Sequence, residues 1–275
     1  MQAKQSGFQR STGAFLAVPL RRQLGMKDLS PRTKVLTKTI WFVSALVAIW
    51  TVIVAGVGRR TGTCSAAYVR DTAHALNFIG IWQNYCQIII RAWKDAYTER
   101  RDWLGLIVHS VIFGIICLGL HCAEVLTEMA RDEAIWRRAT TIGASLKLGS
   151  TKSTALSWQC WILFIFKCIV PWIFGYALDT TLSIIMNLLP ILTIAALLLL
   201  LALLAEFLVC HRPRGSQPAT FGNVEALVSL IDDWQDGKIF WGDKGAVTET
   251  IRKAGTSGQR LADLRMTFLY YGLRG

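Results

Sequence analysis

The chain has 275 residues, a formal charge of +12 from 30 Lys and Arg against 18 Asp and Glu, 53% hydrophobic residues and only 17% charged ones. Soluble domains carry about a quarter charged residues. A mean hydropathy of +0.39 with so few charges therefore excludes both an ordinary soluble globule and a disordered chain, and points to a membrane.

The predicted class is an all-α membrane protein: a four-span transmembrane helix bundle followed by a small mixed helix/strand cytosolic tail. Residues 1–38 form a basic arm. It holds Lys4, Arg10, Arg21, Arg22, Lys27, Arg32, Lys34 and Lys38 against one acid, Asp28. The apolar stretch at 15–20 is too short for a cleavable signal. The shortage of acids faintly resembles a mitochondrial presequence, but a cytosolic arm ahead of a membrane anchor is the simpler reading. Anionic inner-leaflet lipids are its expected partner; nucleic acid is not.

The transmembrane bundle covers 39–209. Crossing about 30 Å of hydrocarbon takes about 20 apolar residues. Spans are predicted at 39–57, 103–122, 157–178 and 182–208, the last with a kink at Pro190. Between the first two, residues 72–90 lack formal charge but hold His74, Asn77, Gln83, Asn84 and Gln87. They read as an amphipathic helix at the interface, with a fifth span as the alternative. Basic residues collect on the cytoplasmic side, so the arm sets the amino terminus inside. Four spans then put residues 123–156 and the tail inside too.

Lys167 stands near the middle of the third span, where a lone lysine costs roughly 2.5–3.5 kcal/mol. His109 and Ser110 in the second span fall at similar depth, so Lys167, His109 and Ser110 form a candidate intramembrane polar site. The competing reading is a lysine that snorkels to water or a carbonyl. Glu206 lies too far along the fourth span to pair with Lys167 and reads as interfacial. Cys210 closes the fourth span beside His211 and Arg212, a juxtamembrane context for lipidation. No catalytic, cofactor-binding or metal-binding set emerges: there is no CxxC pair, and Gly56, Gly58 and Gly62 follow a span rather than a strand.

The tail, 210–275, changes composition. Pro213, Gly215, Pro218 and Gly222 make a turn-rich exit, and residues 223–234 carry apolar positions on one helical face. Short strands are expected at 238–241 and 266–271, with loop between them. Asp232, Asp233, Asp236 and Asp243 match no calcium loop and read as a solvated acidic face. So few residues bury little core alone, so the tail should pack on the bundle, on residues 123–156, or on a partner protein.

The tail runs Gln217, Pro218, Ala219, Thr220, Phe221, Gly222, then Asp232, Asp233, Trp234, then Trp241, Gly242, then Ala254, Gly255, Thr256. This order resembles the cytoplasmic end of uncharacterised multi-pass membrane proteins of filamentous fungi. The resemblance covers about the last quarter of the chain. It implies a fungal source and a plasma-membrane or endomembrane location; the acid-poor amino terminus leaves a mitochondrial membrane as the lesser alternative. It implies no activity. Three functions stay open: a non-enzymatic accessory or adaptor acting through the tail, a small transporter or channel subunit built around Lys167, and a membrane-embedded enzyme.

Overall fold

The computed structural model describes residues 14–16, 26–61, 87–90, 98–145, 158–180, 184–211, 231, 233, 237–265 and 267–272. In chain order the elements are β1 (Ala14–Leu16), α1 (Met26–Leu29), α2 (Pro31–Arg60), β2 (Gln87–Ile90), α3 (Thr98–Thr141), β3 (Ala144–Ser145), α4 (Trp158–Ala177), β4 (Leu178–Asp179), β5 (Ile184–Asn187), α5 (Leu188–Cys210), β6 (Lys238–Ala246), β7 (Ile251–Ser257) and β8 (Leu269–Gly272). The described chain is mostly helical. Its four long helices α2, α3, α4 and α5 each contain a stretch long and apolar enough to cross a membrane. That marks a membrane protein.

The chain divides into two compact units. One gathers residues 36–124 and 162–205. It contains most of α2, the first part of α3, and most of α4 and α5. On α2, the residues Thr37, Ile40, Val43, Ser44, Val47, Thr51 and Val54 are buried. They recur every three or four positions, one stripe of a helix. Trp41, Phe42, Ile49, Val52, Ile53 and Val57 are exposed, as suits a surface against lipid. Residues 39–58 of α2 carry no charge, which at 1.5 Å per residue matches about 30 Å of hydrocarbon. Gly119 of α3 lets α2 come close, because a Cβ there would lie 3.3 Å from Val43 Cγ1. Small residues play this part widely between membrane helices. Gly105 does the same against the Thr180 carbonyl, 2.9 Å from where its Cβ would stand.

Three expectations change in this unit. The helix of the last span begins at Leu188, so Pro190 falls in the first turn. There its missing N–H costs nothing, and no kink is called for. The residues before it, 184–187, form strand β5 instead of helix. And Gln87–Ile90, placed at the end of an amphipathic helix, is strand β2, paired antiparallel with β5 from Gln87↔Asn187 to Ile90↔Ile184. β4 pairs with the other edge of β5. The rest of 72–90 lies outside the described residues.

The second unit gathers residues 1–35, 125–161 and 206–275. Its centre is a five-stranded sheet in the order β1-β8-β7-β6-β3. All neighbours are antiparallel except β7 and β8. The stretch between the two predicted tail strands is thus not loop: it contains β7. Nor is 123–156 simply a loop, since α3 runs on to Thr141. The extra turns have a purpose. Trp136 and Ala139 pack with Trp241, Ala254, Leu264 and Tyr270 in one core, and the Trp136 and Trp241 rings meet edge-on at 5.8 Å. Gly143, at φ 82°, ends the helix: its N–H donates to the Arg138 carbonyl at 2.9 Å. Only glycine suits this left-handed cap, and the Phe240 ring lies 2.7 Å from where a Cβ would stand.

Candidate functional site

The charged residues that break the apolar pattern are paired. Lys167 is the tenth of twenty residues in α4. Its ammonium donates to Glu124 Oε1 of α3 at 2.5 Å, and the other carboxylate oxygen, Oε2, is 3.2 Å from His121 Nδ1. Helical side chains lean toward the helix amino terminus. On α4 that lean carries the Lys167 head toward the level at which Glu124 stands on α3. This is the snorkelling geometry, with a carboxylate in place of water. Pro171, four residues on, has no N–H for the Lys167 carbonyl. The side chains keep 37%, 33% and 70% of their surface for Lys167, Glu124 and His121. The triad therefore opens onto the surface of its unit.

The predicted grouping of Lys167 with His109 and Ser110 is replaced by this one. His109 packs its ring on Phe174, with centroids 4.9 Å apart, and Phe174 stacks in turn on Phe113 at 5.4 Å. Ser110 is exposed. Glu124 lies fifteen residues from His109, about 22 Å along α3 at 1.5 Å per residue. Reading 123–156 as loop hid Glu124, which stands two residues past the predicted span.

Glu206, expected from the sequence to be an interfacial acid, has a charged partner in its own unit. It forms an ion pair with Lys27 of α1, which fastens the basic arm to the end of α5. Cys210, the lipidation candidate, is exposed at the last position of α5, and its thiol donates to Glu206 Oε1 at 3.3 Å.

A third constellation lies in the tail and was misread as solvated. The Asp243 side chain is 1% exposed. Its Oδ2 accepts from Arg252 Nε at 2.5 Å and from the Tyr270 hydroxyl at 3.1 Å, while Oδ1 accepts from the Gly245 N–H at 2.9 Å. The Tyr270 oxygen accepts from the Arg265 N–H at 2.8 Å. Arg252 also sits 5.2 Å over the Phe268 ring. Burial pushes the Tyr270 phenol above its ordinary value; the Arg265 N–H opposes this, and the Asp243 carboxylate adds to the rise. Both carboxylate oxygens of Asp243 meet donors, which offsets the cost of burying them. The signal in the sequence was its place in a strand, between Trp241 and the bulge at Gly245. Asp233 exchanges hydrogen bonds with Thr256 through its backbone at 3.4 Å. Asp232 and Asp236 lie outside the described residues. Among the described residues, no three His, Cys, Asp and Glu side chains gather as a metal site would.

Comparison with known proteins finds no matching family model, no matching curated protein and no matching solved structure.

Proposed function

We propose that the chain is a four-span membrane protein with both termini in the cytosol, serving as an accessory or adaptor component through a folded cytosolic module. The observation that carries this is the origin of the five-stranded sheet. Its strands come from the amino-terminal arm (β1), the segment between the second and third spans (β3) and the tail (β6, β7, β8). Hydrogen-bonded strands must share one side of a bilayer. Four spans put all three segments on the same side; a fifth span at 72–90 would part β1 from β8. The arm's basic excess supports the cytosol as that side. β2 and β5, from the two segments that four spans assign to the other side, pair with each other.

A module assembled from three segments and fixed by a buried Asp243–Arg252–Tyr270 network offers a rigid surface, which suits recognition of another protein. The tail's likeness to fungal membrane proteins supports a plasma-membrane or endomembrane site. The transporter reading is weaker, because Lys167 and His109 each have a separate protein partner. Proximity labelling from a carboxy-terminal fusion tests the proposal. Cytosolic proteins should be labelled, and Asp243→Ala should lose them while the chain still inserts. Labelling of the opposite compartment, or an unchanged set with Asp243→Ala, refutes it.

A further inference from the structure

We infer that His121, Glu124 and Lys167 form a binding site for a zwitterionic phospholipid headgroup with a primary ammonium, an ethanolamine-type lipid of the leaflet on the amino-terminal side. The uncharged part of α2 starts at residue 39, so Val43 lies about 6 Å inside the hydrocarbon at 1.5 Å per residue. Gly119 is level with Val43, with 3.3 Å between its Cβ position and Val43 Cγ1. Successive spans run in opposite directions, so Glu124, five residues on, lies about 7.5 Å back toward that surface. It therefore stands at the headgroup boundary, and His121 lies one turn deeper.

Chemistry narrows the ligand. The triad presents one carboxylate, one ammonium and one imidazole, all partly exposed. A lipid phosphate adds its charge against Lys167, with His121 beside it, and a primary ammonium donates to Glu124. The four charges then alternate around a closed ring with no net charge added. An anionic lipid without an ammonium meets Lys167 but faces Glu124 unpaired. A choline headgroup has no N–H to donate. Exposed Leu118, three residues deeper than His121 on α3, gives the acyl chains apolar surface.

The test is the thermal stability of the full chain in detergent as lipid is added, since a ligand of the folded state raises the midpoint. Phosphatidylethanolamine should stabilise wild type at concentrations about tenfold below those needed for phosphatidylcholine or phosphatidylglycerol. Glu124→Gln should erase the preference for ethanolamine over choline. Lys167→Met should weaken both. His109→Ala, away from the triad, should keep the preference. Equal response to all three lipids overturns the site, and so does an ethanolamine preference that survives Glu124→Gln. Soluble phosphoethanolamine acting as strongly as the lipid would overturn the assignment to a lipid. If Glu124→Gln does not fold, His121→Ala replaces it and should narrow the gap between phosphatidylethanolamine and phosphatidylcholine by weakening the phosphate contact; an unchanged gap counts against the site.

Discussion

Ala14, near the start of the chain, faces Tyr271, near its end, across an antiparallel ladder between β1 and β8. Such partners have Cα atoms about 4.5–5.5 Å apart, within the range a disulfide spans. The double variant Ala14→Cys with Tyr271→Cys should therefore cross-link within one chain when intact membranes are oxidised. Peptide mass mapping reads the bond. An inserted chain whose two introduced thiols yield no linked peptide would contradict the pairing and release the odd-span topology from its main obstacle.

The Lys167–Glu124 pair predicts an asymmetric response to mutation. Glu124→Gln leaves a lysine in the bilayer without its carboxylate and should cost about 1–3 kcal/mol. Lys167→Met removes the costly charge, leaves Glu124 at the boundary, and should cost less. The double variant should lie close to Lys167→Met alone, because the loss from Glu124→Gln needs the lysine to be present. Unfolding midpoints in one detergent measure all three; additive losses would mean that the two side chains act independently.

What the sequence made legible, and what it hid, follows from the range of each signal. The four long helices were readable because each is announced by a run of local apolar residues. Lys167 was readable as an exception to such a run. Its partner was not, because the choice between Glu124 and His109 depends on how α3 and α4 are staggered, and the close approach of Gly105 to Thr180, just past α4, fixes their relation without marking the sequence. The tail was misread for a related reason. Ile251–Ser257 reads IRKAGTS, with two charges and a glycine, which looks like loop until β6 and β8 flank it on both sides. Asp243 looked solvated because its donors, Arg252 and Tyr270, are 9 and 27 residues away.

Gly143 should tolerate no side chain. Its φ of 82° disfavours any L-residue by roughly 1 kcal/mol, and the Phe240 ring stands 2.7 Å from the Cβ position. Gly143→Ala should thus destabilise the module by about 1–3 kcal/mol. Limited proteolysis of the full chain in nanodiscs should show faster cleavage within 237–272 and an unchanged rate in the spans. Unchanged cleavage of the tail would mean that the cap and the ring contact are dispensable.

The Tyr270 network predicts how the module responds to alkali. The phenol titrates higher in the folded chain than its unfolded value near 10, with burial as the first cause. Between those two values the folded state holds a proton that the unfolded state has released. Stability must then fall as pH rises through that interval, and the contribution is whole below about pH 10. Tyr270→Phe removes the titration. It also removes the bond to Asp243 and the acceptor for the Arg265 N–H, at a cost of about 1–2 kcal/mol. The variant should therefore be less stable than wild type at pH 8, and the gap should narrow as pH rises above 10. Tail proteolysis in nanodiscs, calibrated at each pH with an unfolded substrate, measures the difference. A gap that stays constant to pH 11 would mean that the phenol titrates alike in the folded and unfolded chains, without the upward shift that burial imposes. A gap that widens would contradict the sign of the shift and with it the buried position of the hydroxyl beside the Asp243 side chain.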